Sequence, residues 1–342
     1  MTVVKHANDA ELLKAPYQLF LGCSDSELSI KTSRGIAQWN PDSCVAEFAG
    51  GDSTLTLGLP KMSIKEAAKA GANTFVIGLA NAGGFVDPEW EPYILEAIEN
   101  GMEIASGLHR RLDEIPSIKA AAEKYNVALH DVRHGYTELK TGTGEKRSGK
   151  RILAVGTDCS VGKMFSTLAI TEEMKKQDFD VDFKATGQTG VMIAGSGICI
   201  DAVVADFISG GIEELSPAAD ENHWDVIEGQ GSLFNPAFAG VSLGLLHGSQ
   251  PDIIVMCHEA DRPHLKGMPH VPIPDMADCI SLNLKQASLT NPNVKLGGIA
   301  LNCRNVSAAE GEKQRAALEA EFGVPCFDPM ITGTAAFVET LK

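Results

Sequence analysis

No apolar run in the 342-residue sequence approaches the ~20 residues that a membrane-spanning helix needs. The N-terminus carries no basic segment followed by an apolar core, so no secretory signal is expected. Cys-x-x-Cys pairs are missing too. Cys23, Cys44, Cys159, Cys199, Cys257, Cys279, Cys303 and Cys326 are scattered, which excludes the usual disulfide framework or zinc site and points to reduced thiols in a cytoplasmic protein. Cations are scarce: 29 Lys and Arg stand against 45 Asp and Glu, a formal net charge of −16. Sequence-independent nucleic-acid binding relies on clustered Lys and Arg, so that class is disfavoured, as is docking on an anionic membrane. An anionic ligand would have to be held locally, by backbone N–H groups and a few placed cations. What remains is an ordinary globular composition, 44% hydrophobic and 22% charged, long enough for two domains and compatible with a homo-oligomer.

One stretch organises the chain. Ile152 to Val155 is a short apolar strand, followed by Gly156-Thr157-Asp158-Cys159-Ser160-Val161-Gly162-Lys163-Met164 and a helix-like segment with Leu168, Ile170 and Met174. Strand, Gly-rich loop ending in Gly-Lys, then helix is a phosphate cradle. Glycines let the backbone wrap an anion, exposed N–H groups and the helix N-terminus add positive potential, and Lys163 adds a full charge. Two departures stand out. Five residues rather than four separate Gly156 from Gly162-Lys163, and Met164 stands where a nucleotide hydrolase has Ser or Thr. A thioether is no ligand for magnesium, a hard cation that wants oxygen. Ser166 or Thr167 can replace it only if the helix start is shifted.

Upstream, residues 1–140 read as an α/β unit of their own. Strands are expected at Pro16–Leu21, Thr74–Gly78, Met102–Ala105 and Val127–Asp131. Helices are expected after a capping box of Ser63 and Glu66, over Glu91–Asn100 and over Ile115–Tyr125. This alternation belongs to an open parallel sheet, where ligands sit beyond the strand C-termini. The loop Asn81–Gly84 lacks the Gly-x-Gly-x-x-Gly pattern and reads as a tight turn, while His109 and Arg110 occupy an equivalent loop as candidate ligand contacts. Polar, Gly-rich residues 141–150, with Thr137 to Lys140 before them, read as the linker.

In the domain 151–342, Val181–Ala185 is expected as a strand running into Gln188, Thr189 and Gly190, candidate substrate contacts. A strand from Trp224 ends at Glu228, the position where phosphate-loop folds place an acidic residue, and Gln230 follows in a small-residue turn. Further strands are expected at Ile253–Cys257, Gly297–Asn302 and Val324–Phe327, with helices from Gly240 and over Ala308–Phe322. Glu228 and Asp158 are the candidate catalytic carboxylates. Arg262 and Arg304, each just past a strand end, are candidate carboxylate clamps, because a guanidinium binds a carboxylate bidentately. His258, His264 and His270 recur every six residues, which fits neither a helix face nor a zinc pattern, so no metal site is assigned. Cys159 reads chiefly as a small side chain in a tight loop, although a helix N-terminus would lower its thiol pKa.

Gly156 to Met164 resembles the phosphate loop of dethiobiotin synthetase, which has the same five-residue spacing; Thr186-Gly-Gln-Thr-Gly190, Ile227-Glu-Gly-Gln-Gly-Ser232 and Gly298-Ile-Ala-Leu-Asn302 also look like pieces of that fold. A fuller resemblance is to the D-glutamate N-acetyltransferase (DgcN-like) family. It rests on the Met after Gly-Lys, on Ala105-Ser-Gly-Leu-His109, Gly187-Gln-Thr-Gly190 and Glu228-Gly-Gln-Gly231, and on Leu245-Leu-His-Gly-Ser-Gln-Pro251. The resemblance covers nearly the whole chain. It implies an α/β protein in which an N-terminal Rossmann-like parallel-sheet domain precedes a P-loop NTPase-like domain. It further implies acetyl transfer from acetyl-CoA to the amine of D-glutamate, with amino acid and CoA as the small-molecule partners. The cradle of Gly156 to Met164 then becomes the CoA site. The competing readings are an ATP- and magnesium-dependent ligase or kinase, with Glu228, Asp158 and Thr167 on the metal, and a non-catalytic CoA- or nucleotide-binding regulator.

Overall fold

The computed structural model of the chain describes residues 13–26, 29–81, 83–134 and 139–342. Strand and helix alternate through its first part: β1 (Tyr17–Phe20), α1 (Lys31–Trp39), β2 (Cys44–Phe48), α2 (Ile64–Lys69), β3 (Thr74–Ile77), α3 (Glu91–Glu99), β4 (Glu103–Ser106), α4 (Pro116–Tyr125) and β5 (Leu129–Asp131). The strands form one parallel sheet in the order β2-β1-β3-β4-β5, a doubly wound order whose direction reverses between β1 and β3. All residues of β1 and β3 are buried, as a parallel sheet covered on both faces requires. Phe20 of β1 stacks on Phe75 of β3 at 5.4 Å and meets Trp90 edge-on at 6.0 Å. The capping box forms: Ser63 Oγ accepts the Glu66 N–H, and the Glu66 carboxylate accepts that of Ser63.

The chain continues with β6 (Lys150–Gly156), α5 (Lys163–Lys176), β7 (Val181–Lys184), α6 (Gln188–Ala194), α7 (Ile208–Leu215), β8 (Trp224–Ile227) and α8 (Ala239–Ser249). Then follow β9 (Ile253–Glu259), a hairpin of β10 (His264–Leu265) and β11 (Met268–Pro272), α9 (Met276–Ala287), β12 (Lys295–Asn302), α10 (Ala308–Phe322), β13 (Cys326–Phe327) and α11 (Ala335–Glu339). Six strands make a second parallel sheet, ordered β13-β12-β9-β6-β8-β7. The phosphate-loop strand β6 is thus central, and the strand that ends at Glu228 is its direct neighbour. Ile152, Ala154, Ile170, Met174, Val226, Val255 and Phe337 belong to its core.

Compact units do not follow the chain in a single cut. The first comprises Met1–Glu138 with Gly187–Ala202, and the second Leu139–Thr186 with Val203–Lys342. Helix α6 therefore belongs to the first unit, where Thr189 Oγ1 lies 3.1 Å from Thr32 Oγ1 and Asn40 Nδ2 donates to Ile193 O. A single boundary at 141–150 does not contain this excursion. The described part of the expected linker is strapped to the second unit: the N–H groups of Thr143 and Gly144 donate to the Glu213 carboxylate, and Lys150 already opens β6. Thr137 and Glu138, like Ala82 of the Asn81–Gly84 loop, lie outside the described residues. Between β1 and α2, two elements have no counterpart in the sequence reading. Helix α1 carries Thr32, Ser33 and Gly35, all weak helix formers, and β2 is a half-buried edge strand.

Candidate functional site

Strand β6 ends at Gly156, the loop 157–162 curls, and α5 starts at Lys163. The curl uses left-handed backbone at Ser160 (φ 54°) and Gly162 (φ 107°). Glycine is required by space at a second place. A Cβ on Gly229 would lie 1.7 Å from Ala154 O and 2.9 Å from Lys163 Cδ, so the turn after β8 presses on β6 and on the lysine stem. Val161 is buried as the loop's apolar anchor. Thr157 donates its N–H to Cys257 O, and its hydroxyl lies 2.8 Å from His258 Nδ1, while Ser232 Oγ donates to Thr157 O.

Lys163 is buried, and its Nζ donates to Asp158 O at 2.8 Å. Burial pulls its pKa below the ordinary lysine value, opposed by the neighbouring Cys257, Cys159, Asp158 and Glu228. The ammonium therefore sits preset under its own loop. Burial instead pushes the Cys159 thiol up, outweighing Lys163, Lys266 and Arg262. The depression expected from the helix N-terminus is outweighed by burial. Met164 is half-buried. Behind it Ser166 Oγ donates to Gly162 O, and Thr167 Oγ1 donates to Lys163 O and Met164 O. Both hydroxyls donate to carbonyls at the start of their own helix.

Asp158 is fully buried and accepts from Asn235 Nδ2 (2.8 Å), Arg262 Nη1 (2.9 Å) and the Lys266 N–H (2.6 Å). Burial alone would raise its pKa, but these donors and the Arg262 charge hold the carboxyl below the usual aspartate range. The carboxylate of Asp158, expected as a candidate catalytic group, is thus engaged by the segments that surround the loop. Arg262 is likewise committed. It donates to Asp158, to Cys159 O (2.7 Å) and to Ser160 O (3.4 Å), and it pairs with Glu259. Arg262, expected as a carboxylate clamp, is engaged here with the loop itself and with Glu259. Arg304 donates to Glu259 Oε1 at 2.9 Å and stays 63% exposed. Buried Glu259 also accepts from Asn305 Nδ2 at 2.7 Å. Asn235, Glu259 and Lys266 were not singled out by sequence. Glu259 was visible as the carboxylate ending β9; nothing local marks Asn235 or Lys266.

Glu228 is buried just past β8, where its Oε2 accepts the Thr186 N–H at 2.9 Å and its carbonyl accepts from Thr186 Oγ1. Gln230 Nε2 reaches the same hydroxyl at 3.3 Å. Thr186, Glu228, Gln230, Lys163 and the loop are thus gathered in the second unit. Gln188, Thr189, Gly190, His109 and Arg110 belong to the first. Gln188 Oε1 accepts from Arg133 Nε at 2.8 Å, and Thr189 and Gly190 continue α6. His109 and Arg110 are exposed; burial of the ring and the Arg133 charge keep the His109 pKa below its ordinary value, and Arg110 donates its N–H to Gly84 O. His258 is held below its usual pKa, first by burial and then by Arg262. Among the described residues the potential metal ligands that converge are Asp182, His223 and Asp225, not the three histidines. That cluster lies at the start of β7 and β8, away from Glu228, and the Lys184 ammonium already stands 3.1 Å from Asp182 and 3.4 Å from Asp225.

A central parallel strand, a preset Gly-Lys loop and an acidic neighbouring strand end define a phosphate-loop α/β protein, here carrying a Rossmann-like sheet in its first unit. Residues 138–338 match the family model described as "Domain of unknown function (DUF1611_C) P-loop domain", and residues 46–135 match "Domain of unknown function (DUF1611_N) Rossmann-like domain". The chain belongs to the DUF1611 family. It is 52% identical to a Pseudoalteromonas sp. protein named D-glutamate N-acetyltransferase, over 96% of this chain and 99% of that one. A Tritonibacter scottomollicae protein of the same name is 42% identical over the same shares. Among solved structures, a DUF1611 family protein from Anabaena variabilis superposes with a TM-score of 0.86 at 30% identity, covering 96% of this chain and 99% of that one.

Proposed function

We propose that the protein transfers an acetyl group from acetyl-CoA to the amino group of D-glutamate, in the cytoplasm and without a metal. The reaction and acceptor are supported by the name borne by two relatives that match end to end. The donor is supported by one observation above all. The loop presets a buried lysine for phosphate, while the hydroxyls of Ser166 and Thr167 are turned onto helix carbonyls. Coenzyme A brings a pyrophosphate and a ribose phosphate to such a cradle, and acyl transfer consumes no nucleoside triphosphate. The eight cysteines are free thiols, which suits a reducing compartment.

In the reaction the glutamate nitrogen bonds to the acetyl carbonyl carbon, the C–S bond breaks, and the thiolate leaves and takes a proton. An amine pKa of about 10 makes deprotonation of the ammonium the first hurdle. Glu228 is the base in this proposal: a buried carboxylate at a strand end, oriented by the Thr186 N–H and near the Lys163 charge. Asp158 holds the loop in place. Arg304, largely exposed while paired with Glu259, is the cation left to meet an acceptor carboxylate. Free-thiol release from acetyl-CoA, followed in EDTA with D- and L-glutamate, tests the reading. Release that depends on D-glutamate supports it. Binding of acetyl-CoA without release indicates a regulator, and magnesium-dependent ATP consumption indicates a ligase.

A further inference from the structure

The acetyl-CoA reading leaves one cation at the loop without a task. The hairpin β10–β11 turns through Lys266 and Gly267, the latter at φ 77°. Leu265 is buried below that turn, and the Lys266 N–H donates to buried Asp158. The backbone at Lys266 is therefore fixed to the phosphate loop from inside. Its side chain points back at the same loop: Nζ donates to Ser160 Oγ at 2.7 Å. Ser160 holds a left-handed backbone at the crown of the curl, a conformation that a residue with a side chain adopts at a cost.

Three cations thus converge on residues 158–160, in a chain of net charge −16. They are not equivalent. Lys163 is buried beneath the loop, and Arg262 is neutralised by two carboxylates, Asp158 and Glu259. Lys266 is exposed, and its ammonium rests on a neutral hydroxyl. Holding a long lysine side chain in one rotamer costs conformational entropy that a hydroxyl partner in water scarcely repays. An anionic ligand group at the crown would turn the same placement into a charge-assisted contact.

We infer that Lys266, presented by the hairpin turn and set on Ser160, reads a phosphate of the acyl donor and so selects a phosphate-bearing CoA thioester over a phosphate-free one. The inference rests on the acetyl-CoA reading above. It predicts a binding residue that the Gly-Lys motif does not contain.

The test compares wild type, Lys266→Ala and Lys266→Arg with acetyl-CoA and with S-acetyl-N-acetylcysteamine, a thioester without phosphate, at saturating D-glutamate. In Lys266→Ala the ratio of kcat/KM for acetyl-CoA to that for the phosphate-free donor falls on the order of tenfold, as loss of one charge-assisted contact implies. The loss appears in KM for acetyl-CoA rather than in kcat, and Lys266→Arg restores part of it. A ratio unchanged in Lys266→Ala overturns the inference, whether both donors suffer equally, as a structural role for the hairpin predicts, or neither does. If wild type turns over the phosphate-free donor but not acetyl-CoA, or neither donor, the acetyl-CoA reading fails and the inference falls with it.

Discussion

Asp158 and Glu228 are both buried carboxylates near Lys163, yet their surroundings separate their roles. Asp158 accepts three hydrogen bonds from three segments and is held ionised below the usual range. Glu228 takes the Thr186 N–H on Oε2 and lies just past the end of β8, the strand beside β6. Its replacement in Glu228→Gln keeps the shape and the hydrogen bond to Thr186 but removes the proposed base. The expected result is a kcat lower by roughly 10²–10⁴ with little change in KM, and a loss of the rising limb of the pH–rate profile. Near-wild-type turnover with an unchanged profile would remove Glu228 from the mechanism. Both residues were legible in the sequence as carboxylates in the right motifs; their partners were not. Asn235 and Lys266 stand 77 and 108 positions beyond Asp158, and no local pattern links such separations. The same limit hid the contacts of Arg262 with Asp158 and Cys159.

At the scale of elements, the site depends on how tightly β8 passes over β6. An alanine at Gly229 would place its Cβ against a backbone carbonyl and the lysine stem, neither of which can move cheaply. Gly229→Ala is therefore expected to cost about 3 kcal/mol, the upper range of overpacking, and to lower Tm by roughly 6–12 °C. A thermal melt superimposable on wild type would contradict that packing. At the other end of the same strands, His223 lies 3.0 Å from Asp180 and 3.2 Å from Asp225. Burial works against its charge, but these hydrogen bonds outweigh it and raise the pKa above the ordinary histidine value. A raised folded-state pKa contributes stability that is complete below about pH 6.5, the unfolded value, and is lost as pH rises through the folded one. Chemical denaturation from pH 5.5 to 8.5 should show this decline in wild type and a flatter profile in His223→Asn; equal slopes would exclude the linkage. Elements with strong local signals were readable: the capping box, the phosphate loop, and the helix from Ser307 whose hydroxyl caps Glu310. Helix α1, strand β2 and the β10–β11 hairpin were not: α1 buries Thr32, Ser33 and Gly35 in place of an apolar stripe, β2 is an edge strand, and β10 has two residues.

For the whole molecule, the acidic balance makes the phosphate loop a local exception. A net charge of −16 repels a polyanion at long range, so in the proposed reading the donor is held at close range by Lys163, Lys266 and loop N–H groups. The α/β class and the order of Rossmann-like and phosphate-loop parts were legible from alternating strand and helix signals together with family resemblance. The excursion of Gly187–Ala202 into the first unit was not, since nothing in the α6 sequence says which core it joins. Among the described residues no helix is long and apolar enough to cross a membrane. The most direct measurement is calorimetric titration of the purified protein and of Lys163→Ala with acetyl-CoA and with ATP, each in magnesium and in EDTA. The account predicts acetyl-CoA binding that survives EDTA and is lost in Lys163→Ala. Binding of ATP alone, and only with magnesium, would contradict it.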